Sequence, residues 1–134
     1  MYSIAVDIIF NAGHFLVLSD GKCEQPHRHD WRARATVEAE ELGKFEVVMD
    51  FQHLRQLLRQ IVEPLEQAQN INELLCFSNV GKNPSTEQIA RYIYDKLAEN
   101  LPERIRAAEI LVWETPDCRA AYRPDMAPPV PSDT

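Results

Sequence analysis

Apolar and polar residues alternate from Tyr2 to Phe10. Ile4, Val6 and Ile8 fall on one side, and Ser3, Ala5 and Asp7 on the other, the period of a half-buried strand. The alternation returns from Trp31 to Glu40, with Trp31, Ala33, Ala35 and Val37 opposite Arg32, Arg34, Thr36 and Glu38. Leu42-Gly43 reads as a turn, and Lys44 to Met49 as the next strand, closing a hairpin. The period then changes. After Asp50, a good N-cap, Phe51, Leu54, Leu58, Ile61, Val62 and Leu65 recur at helical spacing, and Pro64 should end or kink that helix. Ser85 and Gln88 have capping-box spacing and open a second helix, with Ile89, Ile93 and Leu97 as its apolar face. Ala107 to Thr115 and Arg119 to Arg123 read as two final strands around a Pro116-Asp117 turn.

Strands bracketing a helix pair predict an α+β domain with an antiparallel sheet, in the order ββ(β)ααββ. The helices should cover one sheet face and leave the other to a partner or to water. Residues 1–123 form the expected domain, and the proline-rich stretch 124–134 is expected to be a disordered tail.

Composition narrows the function. A chain of 134 residues can bury a real core without disulfides. Cys23, Cys76 and Cys118 are odd in number and lack paired spacing, which fits a reducing cytosol. The net charge of −7 argues against nucleic-acid or membrane partners. No signal peptide or membrane span is visible, so a cytoplasmic location is expected.

His27-Arg28-His29 carries the most chemistry. On an extended chain the two imidazoles point to the same side and can reach one ion, and Arg28 points away. His14 is the candidate third ligand, and three imidazoles leave a fourth position open for water or substrate. The tripeptide alone also reads as an exposed pair entering a strand. His53 lies off the apolar stripe of the first helix and reads as solvated. Cys23, four residues before His27, is either an inert loop thiol or a base or nucleophile beside a cation. Glu114 ends an apolar strand, as a solvated terminus or as an acceptor for a guanidine-like edge.

In order along the chain stand Phe10-Asn11-Ala12-Gly13-His14, Cys23, His27-Arg28-His29, Asp50-Phe51, Asn83-Pro84-Ser85-Thr86-Glu87 and Glu114-Thr115. Together they resemble the 6-pyruvoyl- and 6-carboxy-tetrahydropterin synthase family, over about Phe10 to Tyr122. The spacing from cysteine to histidine is nearer the 6-carboxy branch, which serves queuosine-type biosynthesis. The resemblance implies a tunnelling fold, with two helices on a four-stranded antiparallel sheet. Trimers close into a barrel, and two trimers stack into a hexamer. It implies Zn2+ on His14, His27 and His29, Cys23 as the catalytic thiol, and a pterin anchored by Glu114. Thr115, Thr86 and Glu87 would line or support that pocket. The implied substrate is 7,8-dihydroneopterin triphosphate.

The chain departs from that family in two places. An Asp-His pair normally follows the first helix, but here the stretch is Leu65-Glu66-Gln67-Ala68-Gln69-Asn70-Ile71-Asn72, without a histidine. A glutamine cannot serve as general acid or base, and losing such a group typically costs about 10²–10⁴-fold in rate. Arg28 stands where the family usually has glycine. Three readings follow: a zinc-dependent lyase, a related pterin enzyme with different side-chain chemistry, or a metal- and pterin-binding protein without turnover.

Overall fold

A computed structural model describes residues 1–78, 81 and 83–124. The tail expected from residue 124 lies, beyond Pro124, outside the described residues. Strands β1 (Tyr2–His14), β2 (His27–Ala39), β3 (Arg106–Thr115) and β4 (Cys118–Tyr122) form one antiparallel sheet in the order β1-β2-β3-β4. Three helices follow β2 and precede β3: α1 (Phe51–Gln67), the single turn α2 (Leu75–Ser78) and α3 (Thr86–Glu99). The architecture is the expected α+β one.

Alternation fixes which face is buried. Val6, Ile8, Phe10 and Ala12 of β1, Trp31, Ala33, Ala35 and Val37 of β2, and Ile110 and Val112 of β3 pack beneath Leu54, Leu58, Val62 and Leu65 of α1 and Ile89, Ile93 and Leu97 of α3. Ala33 and Ala35 are fully buried at the sheet centre, where small side chains let the helices approach. Both helix starts are capped as the sequence predicts. The Asp50 carboxylate accepts from the Gln52 N–H at 2.7 Å, and the Ser85 hydroxyl accepts from the Gln88 N–H at 3.2 Å. Helix α1 continues three residues past Pro64, to Gln67.

One predicted element is wrong. Residues 44–49 do not form a strand; Lys44–Glu46 make a 3-10 turn. The topology explains why. Strand β2 is hydrogen-bonded to β1 on one edge and to β3 on the other, so neither edge can accept a hairpin partner. The chain turns away instead, with Phe45 and Glu46 at φ 60° and 58°, in the left-handed region non-glycine residues seldom adopt. Val48 and Met49 bury their side chains in the core, whereas Phe45 and Val47 stay exposed, so the apolar run is only half used.

The candidate metal centre

Both histidine-bearing segments are strand ends, because β1 and β2 extend further than alternation alone indicates. Register pairs His14 with His27, Ala12 with His29 and Phe10 with Trp31, so these residues share the helix-side face. Trp31 holds the arrangement. It is fully buried, its indole N–H donates to the Ala12 carbonyl at 3.0 Å, and its ring stacks on His29 at 4.5 Å.

His14 is 1% exposed and is the buried polar residue among the described residues. Its Nδ1 lies 2.7 Å from the Pro84 carbonyl, and His27 Nδ1 lies 3.2 Å from the Gln25 carbonyl. A carbonyl only accepts, so in both rings Nδ1 carries the proton. In the neutral ring Nε2 then presents a lone pair, the orientation that outer-sphere carbonyls impose on metal-binding histidines. The two Nε2 atoms face each other at 2.9 Å.

A fourth group completes the cluster. Glu114 Oε1 lies 3.1 Å from His14 Nε2, 3.5 Å from His27 Nε2 and 3.6 Å from His29 Nε2. Ligand atoms of all four residues fall within 4.8 Å of one another. Imidazole and carboxylate lone pairs that converge in this way repel unless a proton or a metal cation sits among them. The donor set, three imidazoles and a carboxylate, suits a divalent ion such as zinc. The residues present therefore fit the metal that the sequence resemblance implies.

Glu114 reaches this position through a bulge. Trp113 pairs with Arg119 and Thr115 with Cys118, so Glu114 is the extra residue at the β3–β4 turn. A bulge re-aims a side chain. Oε2 accepts from the Thr86 hydroxyl at 3.3 Å. Burial pushes the Glu114 carboxyl up, but hydrogen bonding and charge from His14, with His27 and Thr86, outweigh it and hold it below its ordinary value.

The other expected site residues are distributed more widely. Thr86 touches Glu114 and, with exposed Glu87, lines a groove against Cys118, Arg119, Ala120 and Ala121. Thr115 turns away, its hydroxyl donating to Asp117 at 3.0 Å. Cys23 is exposed in the loop between β1 and β2, bridged to Val17, and is not one of the four clustered residues. Two asparagines clip the start of that loop. Asn72 accepts from and donates to the Phe15 backbone at 3.1 and 2.8 Å, and Asn83 does the same with Val17 at 2.8 and 2.9 Å.

Sequence reasoning missed two partnerships. Glu114 shares helix-side parity with Val112, a signal that could have placed it beside the histidines. Arg28 gives no such signal. Its guanidinium donates to the Asn11 side chain and to the carbonyls of Asn11, Glu66, Ala68 and Gln69, so it ties the end of α1 to the histidine hairpin. Opposite it, a Cβ on Gly13 would come within 2.8 Å of the Gln69 carbonyl oxygen, so only glycine lets this segment pack so closely. Glu66 and Gln67 have partners of their own, the Asn11 N–H at 3.5 Å and the Glu63 carboxylate at 3.0 Å.

The sequence and the fold both have known counterparts. The chain is 30% identical over 133 residues to 6-carboxy-5,6,7,8-tetrahydropterin synthase of Synechocystis sp., covering 96% of this chain and 98% of that one. It is also 30% identical over 105 residues to dihydroneopterin monophosphate aldolase of Pyrococcus furiosus, covering 78% and 82%. The structure of Caenorhabditis elegans 6-pyruvoyl tetrahydropterin synthase superposes with a TM-score of 0.76 at 20% identity, over 92% of this chain and 96% of that one. This likeness identifies the fold as the tunnelling fold. The sequence profile described as 6-pyruvoyl tetrahydropterin synthase matches residues 3–125, and the chain belongs to that family.

Proposed function

We propose that the protein is a zinc-dependent lyase acting on the side chain of 7,8-dihydroneopterin triphosphate or a related dihydropterin, in the manner of a 6-carboxy-5,6,7,8-tetrahydropterin synthase. The observation that carries this reading is the convergence of His14, His27, His29 and Glu114 on one point. A zinc ion held there supplies Lewis acidity, which polarises side-chain oxygens and acidifies neighbouring O–H and C–H groups. His14 and His27 hold their lone pairs in place through Pro84 and Gln25. Glu114 receives the N–H edge of the pterin, and Thr86 orients its carboxylate. Glu87 lines the groove beside Thr86, and Thr115 braces the β3–β4 turn through Asp117. Cys23, on the loop leading into His27, takes and returns the proton as thiolate.

A second reading, aldolase-type cleavage of a dihydroneopterin side chain, is favoured by the 30% identity to the Pyrococcus furiosus aldolase. The 65–72 segment agrees with it. That segment offers no histidine, and Glu66 and Gln67 are engaged elsewhere in the chain. A retro-aldol step needs a proton removed from one hydroxyl and one returned to carbon, a smaller demand than eliminating triphosphate as well.

The assembly belongs to the same proposal. The helices occupy one sheet face, so trimers closing around the other face, stacked in pairs, are the expected oligomer. Among the described residues no helix is long and apolar enough to cross a membrane, and a cytoplasmic site of action in queuosine-type synthesis is part of this reading.

One experiment separates the readings. Zinc-loaded protein is incubated with 7,8-dihydroneopterin triphosphate and, separately, with the monophosphate, and products are identified by mass. 6-Carboxytetrahydropterin with acetaldehyde supports the lyase. A shortened side chain without a carboxylate supports the aldolase. Both substrates recovered unchanged, yet bound, would leave a binding protein. Cys23→Ala should lower turnover by about 10²–10⁴-fold while zinc content stays the same.

A further inference from the structure

We propose that Glu114 is a fourth, exchangeable ligand of the metal, bound to it in the pterin-free protein and released when a pterin takes the carboxylate. The inference rests on the metal- and pterin-binding reading above and adds a gate to it.

Geometry supports the first half. Zinc with bonds of about 2.0–2.1 Å to its ligands has tetrahedral edges of about 3.3–3.4 Å between them. Glu114 Oε1 stands 3.1, 3.5 and 3.6 Å from the three Nε2 atoms. Its place is that of a fourth vertex. Four protein ligands make the closed sphere of a structural site, whereas catalysis needs an open position. One ligand must therefore leave.

The surroundings select which one. His14 is 1% exposed and held by Pro84. His27 is held by Gln25, and His29 lies against Trp31 and His27. Glu114 is 33% exposed, sits in a bulge at a strand end, and has a single 3.3 Å hydrogen bond from Thr86 outside the cluster. His27 is more exposed, at 41%, but Glu114 is the one of the four with two acceptor oxygens to offer an incoming N–H edge. A guanidine-like edge, such as the 2-amino and ring N–H groups of a pterin, makes two parallel hydrogen bonds to a carboxylate. Both oxygens must then turn toward the ring, and Oε1 gives up its place between the imidazoles. Substrate binding and opening of the metal become one event.

Cobalt substitution tests this, because its visible bands report coordination. Wild type, Glu114→Gln, Glu114→Ala and His29→Ala are loaded with Co2+, and Zn2+ affinity is measured by chelator competition. Glu114→Ala should shift the bands and weaken Zn2+ by at least about tenfold, since even outer-sphere partners of a metal contribute 10–100-fold. Glu114→Gln should fall between Glu114→Ala and wild type. Adding 6-methyl-7,8-dihydropterin, which lacks the side-chain oxygens, should move the wild-type bands toward those of Glu114→Ala. Bands and affinity unchanged in Glu114→Ala, with metal lost in His29→Ala, would overturn the ligand assignment. A dihydropterin that fails to bind, or binds without moving the bands, would overturn the exchange. The first arm uses metal alone, so it is decided whether or not the protein turns over a pterin. Expected spectra without product from either phosphate ester would sink the enzymatic reading and leave the fourth ligand standing.

Discussion

Strand β2 serves two clusters of polar and aromatic side chains, one on each face of the sheet. On the helix side, His27 and His29 join His14 and Glu114 around one point. On the opposite face, Arg32 and Arg34 both bind the Asp7 carboxylate, and Arg32, Arg34 and Arg119 lie 4.6, 5.3 and 5.6 Å from the centre of the Trp113 ring. The second cluster satisfies itself, each cation meeting a carboxylate or a π face. The first aims imidazole nitrogens and a carboxylate at one another, so that a proton or a metal must lie between them. Density of charge therefore does not mark a site here; unmatched lone pairs do. Trp31 supports the first cluster from within the core, and Trp113 is a component of the second.

The sharpest way to break the contrast is at Trp31. Trp31→Ala empties a fully buried site and should cost about 3–5 kcal/mol, read as a fall in the urea midpoint. A loss below 1 kcal/mol would mean the histidine end does not depend on the core. Next, His29→Ala should weaken zinc by about a hundredfold, roughly 2.7 kcal/mol, while Arg32→Ala on the other face leaves affinity within about twofold. Equal losses in the two variants would erase the distinction between the faces.

Arg28 joins the histidine hairpin to α1, and Arg28→Gly should cost about 1–2 kcal/mol by removing charge-assisted bonds to carbonyls at a helix end. Faster amide exchange confined to the last turn of α1 and the segment after it would locate the effect. Asp7→Asn should cost the least, about 1 kcal/mol or below at neutral pH, because the cluster is partly exposed. The hydrogen bond from Arg34 is the main reason, against some burial, that the Asp7 carboxyl sits below its ordinary value. A depressed folded value gives stability that is present above the ordinary aspartate value of 3.8 and is lost as pH falls through the folded value. Wild type and Asp7→Asn should thus converge in acid, as measured by urea midpoints between pH 6 and 2.

Much of this was legible in the chain. Period-two alternation marked β1 and β2 with their buried faces, an apolar run marked β3, and helical spacing marked α1 and α3 with both N-caps. Residues 44–49 misled because an apolar run does not report hydrogen-bond partners: Val48 and Met49 are buried without a ladder, and Phe45 and Val47 are exposed. The histidine triad was visible because two of its members are two residues apart on an extended chain. Its fourth member is 85 residues beyond His29 in sequence; parity with Val112 gives its sheet face, but only the pairing of β3 beside β2 brings it to the imidazoles.

By itself the sequence determined the elements, the sheet face each residue takes, and the donor types available to a metal, since these follow from local periodicity and side-chain chemistry. Only the tertiary structure decided that β2 would be an inner strand, that Arg28 would seize the end of α1, and that a bulge would turn Glu114 onto the three imidazoles. These depend on which strand edges are already paired and on distances of a few ångströms between segments far apart in the chain, which only packing sets.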